Sequence, residues 1–149
     1  MHGNMKTHLY NLTTETVSIL YISLFVYAAV SKLLDYENFQ IQLGQSPLLS
    51  AFAGWLSWLV PVTELIIAML LVFRCTRTFA QFSAYTLMVM FTAYIYIMLN
   101  YSSYIPCSCG GVLEKLGWEA HLVFNLAFVF LGALAIIVTP KSLTPISAP

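Results

Sequence analysis

The chain has 149 residues, of which 60% are hydrophobic and 8% charged, and six Lys/Arg balance six Asp/Glu to a formal net charge of zero. Ordinary soluble domains carry roughly a quarter charged residues, so a water-facing surface is excluded and lipid must solvate most of the chain. A neutral chain also lacks the basic footprint that nucleic-acid binding requires.

Each helical crossing of the hydrocarbon core takes about 20 apolar residues. The length therefore predicts an all-α, four-transmembrane-helix bundle, one integral membrane domain over residues 1–149. The first span is expected over residues 16–34, with Thr13 and Thr14 as N-cap candidates and Glu15 in the first turn. Lys6, the apolar stretch after it and the small residues Ala28, Ala29 and Ser31 also fit a cleaved signal peptide. The stretch is longer than a usual h-region, however, and reads as an uncleaved span. A polar patch of Lys32, Asp35, Glu37 and Asn38 ends it. Ser46-Pro47, a Ser at N-cap with Pro at N1, marks the start of a second helix running to Phe73, with its membrane-crossing part over 52–73. That helix is longer than the hydrocarbon needs, so Pro61 is expected to kink it and Pro47 to Gly54 to lie near the headgroups. The third span covers 79–99 and the fourth 118–138, with Pro140 opening a short tail over 140–149.

Four spans put both termini on one side, together with Lys6, Arg74, Arg77 and Lys141. Lys32 and Lys115 lie on the other, among Asp35, Glu37, Glu114 and Glu119. The positive-inside rule then predicts cytoplasmic termini, with Tyr36, Trp55, Trp58, Tyr101, Tyr104 and Trp118 as an aromatic belt at the outer interface.

Cys107-Ser108-Cys109 falls between spans three and four, on the oxidising face in this orientation. Pro106 and Gly110-Gly111 flank it, and the glycines give the backbone the freedom a small disulfide ring requires. Such a ring is tighter than one closed by Cys-x-x-Cys, which suits an exchanging bond, and its loop is too short to stabilise the fold through chain entropy. Two other readings stay open. One is a soft-metal site for Cu(I), Zn(II) or a heavy metal, with His121 as third ligand. The other is a local bond without turnover. Cys75, beside Arg74, is about 30 Å of hydrocarbon away from the pair and reads as a free structural thiol.

Ionisable groups inside a span are costly. Glu64 lies roughly 10 Å below the Trp55/Trp58 interface at 1.5 Å per residue, too deep for a carboxylate to reach the headgroups. Lys32 can reach down to pair with it or snorkel outward. Trp118, His121, Asn125, Phe128 and Gly132 share one face of span four. Lys32, Glu64, His121 and Asn125 thus converge in the outer half, beneath the cysteines, while the inner halves are expected to be almost purely apolar. On the functional reading, Lys32, Glu64, Trp118 and Asn125 line a substrate or quinone pocket, and His121 is the acid/base for the catalytic pair Cys107 and Cys109. On the structural reading, His121 and Asn125 are interhelical hydrogen-bonding residues and Lys32–Glu64 an ion pair. Met88, Met90, Met98 and Tyr85, Tyr94 and Tyr96 read as packing.

The stretch from Pro106 through Cys107-Ser108-Cys109-Gly110-Gly111 to Trp118, followed by Glu119, His121 and Asn125, resembles the MauE/DoxX-like family of redox-associated bacterial membrane proteins, in particular its Bacteroidetes-type branch. Ser31-Lys32-Leu33 with Asp35 and Phe39, Ser46-Pro47-Leu48-Leu49, and Pro61 with Glu64 look like its first two helices. The resemblance implies a four-helix membrane bundle associated with maturation of a disulfide-rich methylamine dehydrogenase subunit, alongside a thioredoxin-like partner. Its DoxX-type relatives imply quinone-linked sulfur oxidation. Where many MauE sequences have a Cys-Gly-Cys-Phe-Gly loop, this chain has Cys107-Ser108-Cys109-Gly110-Gly111, so the dithiol chemistry carries over and the methylamine substrate does not. The combined expectation is a multi-pass thiol–disulfide protein of the bacterial inner membrane, itself an oxidoreductase or a subunit of one. A quinone is its candidate cofactor, and lipid and a periplasmic thioredoxin-like protein are its partners. The alternatives are a soft-metal binding or transport protein and a non-enzymatic assembly factor.

Overall fold

The computed structural model describes residues 2–102 and 117–138, with side chains from residue 11 onward. It consists of α1 (His2–Leu34), α2 (Tyr36–Gln45), a single 3-10 turn (Ser50–Phe52), α3 (Ala53–Val72), α4 (Arg77–Tyr101) and α5 (Gly117–Val138). Among the described residues, four helical stretches are long and apolar enough to cross a membrane: Asn11–Leu34, Ser50–Val72, Arg77–Tyr101 and Gly117–Val138. Successive long helices pack against each other, and α5 returns to α1, closing an up-down-up-down ring in which α1 and α4 face each other across the diagonal. The upper end of the bundle is the one where α1 and α4 finish and α3 and α5 begin.

Helical periodicity accounts for the packing. On α1, Val17, Tyr21, Phe25 and Ala29 recur at four-residue steps and are buried. On α3 the same seam is Ala53, Ser57, Pro61, Glu64, Ala68 and Leu71, and on α4 it is Ala80, Ala84, Met88, Ile95 and Met98. Small residues on these seams let the backbones approach closely, as membrane helices do when lipid outside is as apolar as the core. The opposite faces carry exposed Ile19, Leu59, Met69, Phe79, Phe130 and Ile137, which suits contact with lipid tails. Met88 and Met98 are core residues, whereas Met90 is exposed.

Several local expectations are corrected. Thr13, Thr14 and Glu15 do not open the first helix, because α1 already runs from His2. Inside the helix, Thr16 and Ser18 return their hydroxyls to the carbonyls of Leu12 (2.8 Å) and Thr14 (2.7 Å), where they satisfy the chain internally and cap nothing. Nor does Ser46-Pro47 start a helix. Ser46 is the C-cap residue of α2, its hydroxyl has no partner, and α3 begins only at Ala53. The cause is α2, which takes up the polar patch as a short amphipathic helix, burying Leu43 and half-burying Phe39. Pro47, with no N–H, follows its end. α3 continues through buried Pro61.

The lower half is not almost purely apolar. Gln81 of α4 donates from Nε2 to Ser18 Oγ (3.1 Å) and to the Thr14 carbonyl (3.4 Å) of α1, and all three residues are buried. This polar bridge spans the diagonal, where direct packing is slight. Gln81→Leu is expected to destabilise the protein by about 1 kcal/mol, the scale of an interhelical hydrogen bond in a membrane bundle. Unfolding in mixed micelles measures it, and an unchanged midpoint would leave the bridge with no stabilising role. At the lower end Glu15 meets Arg74 and Arg77, at 3.4 and 3.5 Å. Cys75, next to them, is exposed and free of any disulfide.

A candidate polar centre in the upper half

Lys32 stands in the last turn of α1 and Glu64 about three turns below the start of α3. Of the two courses open to Lys32, the chain takes pairing: Nζ lies 2.7 Å from Glu64 Oε1. The Glu64 side chain is 0% exposed and that of Lys32 24%, so the carboxylate is sealed inside the bundle while the ammonium stem reaches the edge. Lys32 Nζ also donates to the Ala28 carbonyl at 3.4 Å. It sits 5.9 Å from the ring centroid of Phe39 and 5.8 Å from that of Phe91, within cation–π range of both.

Elements from the whole bundle therefore meet at one ammonium. α1 supplies Lys32, α2 Phe39, α3 Glu64 and α4 Phe91. On α5, His121 stands near the helix start, at the same end of the bundle. His121 is half-buried against Trp118, ring centroids 6.2 Å apart and planes 23° from parallel. One turn further on, Asn125 is buried at the same helix face. The Tyr36 hydroxyl is 2.8 Å from Ser57 Oγ, which also donates to the Gly54 carbonyl at 2.9 Å. The Tyr36 ring packs on Trp58 at 5.0 Å. These contacts fix the first turn of α2 on α3, and Phe39, three residues later, is thereby brought over Lys32.

Of the sequence-predicted site residues, Lys32 and Glu64 are in direct contact, with His121, Trp118 and Asn125 on the α5 face at the same end. Cys107 and Cys109 lie outside the described residues, as do Tyr104, Lys115 and Lys141. Among the described residues no group of three or more His, Cys, Asp or Glu side chains is arranged to hold a metal ion. The two rings against Lys32 have no joint signal in the sequence. Phe39 stands at a motif position with no chemistry of its own, and Phe91 is one aromatic among many in α4.

The fold and this centre define a multi-pass, all-helical membrane protein with an ion pair enclosed in the upper half of its bundle. Residues 10–138 match the family described as methylamine utilisation protein MauE. The chain belongs to that family, whose name connects it with methylamine utilisation. No curated protein and no solved structure matches the chain at a significant level.

Proposed function

We propose that this chain is a thiol–disulfide redox protein of the bacterial inner membrane, with Cys107 and Cys109 as its exchanging pair. Both termini are cytoplasmic and the cysteine loop periplasmic, a reading supported by Arg74 and Arg77 at the lower end. The observation that carries the proposal is topological. The connection holding the cysteines leaves α4 after Tyr101 and enters α5 at Gly117, at the end of the bundle where Lys32, Glu64, Trp118, His121 and Asn125 are gathered.

The chemistry follows from those residue types. A thiolate on a thioredoxin-like periplasmic partner attacks one sulfur of the Cys107–Cys109 disulfide. A partner–Cys bond forms as the intramolecular bond breaks, and the departing thiolate takes a proton from the imidazolium of His121. The partner's second thiol then displaces the remaining cysteine, leaving an oxidised partner and a reduced Cys107/Cys109 dithiol. Two electrons and two protons leave the dithiol for an acceptor of the quinone class or for the disulfide of another thioredoxin-like protein, and the pair is restored. Run in reverse, the same steps reduce the partner. Lys32, Glu64, Trp118 and Asn125 would hold a quinone headgroup, the ammonium donating to a carbonyl and the indole flanking the ring. With a single cysteine pair, this chain depends on a partner for the rest of the relay, and a disulfide-rich protein under maturation is the substrate class the family supports.

Cys109→Ser and Cys107→Ser variants, produced separately in the native host, test this. One of them is expected to accumulate a mixed disulfide with a periplasmic protein, visible as a reductant-sensitive band on non-reducing gels. If neither captures a partner and both replace the wild type in a deletion strain, the redox reading is wrong.

A further inference from the structure

The Lys32–Glu64 pair is incompletely satisfied, and the two deficits are complementary. Glu64 Oε2 is buried and has no donor, although a carboxylate accepts at both oxygens. Lys32 has three N–H donors. One serves Glu64 Oε1 at 2.7 Å and one the Ala28 carbonyl at 3.4 Å. Among the described residues, the remaining one meets only the ring faces of Phe39 and Phe91. A buried carboxylate oxygen without a donor carries a desolvation cost that an apolar surrounding does nothing to offset.

We propose that this pair is a binding site for one neutral hydroxyl group, which accepts from Lys32 Nζ and donates to Glu64 Oε2. A hydroxyl does both through a single atom. A carbonyl or an ether accepts but cannot serve Oε2, and a second ammonium donates but is repelled by Lys32. Entry is from the Lys32 side, where the side chain is 24% exposed while Glu64 is closed off. Two sources have this chemistry: a membrane-dissolved phenol, whose ring would meet the aromatic rings of Phe39 and Phe91 beside Lys32, and a water molecule, which needs two to four polar partners in such a place. A phenolic hydroxyl is the reduced form of the quinone read into this site above, whose carbonyl meets Lys32 alone, so the proposal rests on that reading for its ligand class while requiring neither cysteine.

The test therefore uses a Cys107→Ser/Cys109→Ser protein in lipid nanodiscs, so that its outcome is separate from the thiol chemistry. A long-chain alkylphenol and its methyl ether are compared as ligands by saturable thermal stabilisation. The Lys32→Met/Glu64→Leu protein in the same background is the folded control. If the source is a phenol, the ether is expected to bind about tenfold more weakly, the scale of one lost hydrogen bond, with the preference absent from the control. If the source is water, an O–H infrared band present only in the parent shifts in oxygen-18 water. A phenol and ether that cannot be distinguished, together with no isotope-sensitive band, would overturn the proposal.

Discussion

Lys32→Met is expected to destabilise the bundle by about 3–5 kcal/mol, whereas the double change Lys32→Met/Glu64→Leu restores most of that loss. The asymmetry comes from where the two charges sit. Glu64 is 0% exposed, and its only described donor is Lys32 at 2.7 Å. Removing the ammonium leaves a carboxylate in an apolar bundle with neither water nor counter-charge. Removing both partners also removes the desolvation cost of each, which is why apolar replacements of buried pairs are often neutral. Unfolding of the three proteins in identical micelles measures both steps. A single variant no worse than a surface change, or a double variant as damaged as the single, would contradict the burial argument. A recovered double variant would show that stability does not require the pair, and any function it then lacks belongs to the charges themselves.

The Lys32–Glu64 pair was legible because charge is scarce here. With six acidic residues in 149, a Glu in the middle of an apolar run stands out, and the rise per residue sets its depth. The four long helices were legible for the same reason, since apolar runs of this length have few other uses. Elements decided by tertiary contact were not. Tyr36–Gln45 reads as a polar connection because its only core-facing apolar positions are Phe39 and Leu43, and two residues four apart are a faint helical signal until α3 is present to cover them. Gln81 sits near the start of α4, where a polar residue is expected to meet headgroups, and its burial depends on Ser18 and Thr14 across the diagonal. The Thr13–Glu15 start signal falls inside α1, which already runs from His2, and there the Thr14 hydroxyl is buried without a partner while its neighbours Thr16 and Ser18 bond the carbonyls four residues back.

Gly132→Ala is expected to cost about 1–3 kcal/mol, the range for overpacking a filled core, and to be partly rescued by Tyr21→Phe. Tyr21 of α1 is 1% exposed, stacks on Phe25 at 5.6 Å and meets the edge of Phe128 at 5.7 Å. Its hydroxyl crosses to α5 and donates to the Phe128 carbonyl at 2.8 Å. A Cβ at Gly132 would overlap that hydroxyl and come within 3.2 Å of Tyr85 Cδ2, so a single methyl meets α1 and α4 together. Tyr21→Phe alone forfeits one hydrogen bond, about 1 kcal/mol. In the Gly132→Ala background, however, the same change removes the worst overlap, so the double variant should be more stable than the sum of the two losses allows. Rescue stays partial because the Tyr21 ring carbon behind the hydroxyl is itself only 3.3 Å from the added atom. The displaced element matters for the centre above. Asn125 and His121 lie two and three turns up α5 on the Gly132 face, and pushing α5 away from α1 shifts both relative to the end of α1 that carries Lys32. On the proposed redox reading, mixed-disulfide capture by the single-cysteine variant should therefore fall in Gly132→Ala and be partly restored by Tyr21→Phe. Capture that persists at the wild-type level in an otherwise destabilised protein would separate the α5 face from the redox chemistry.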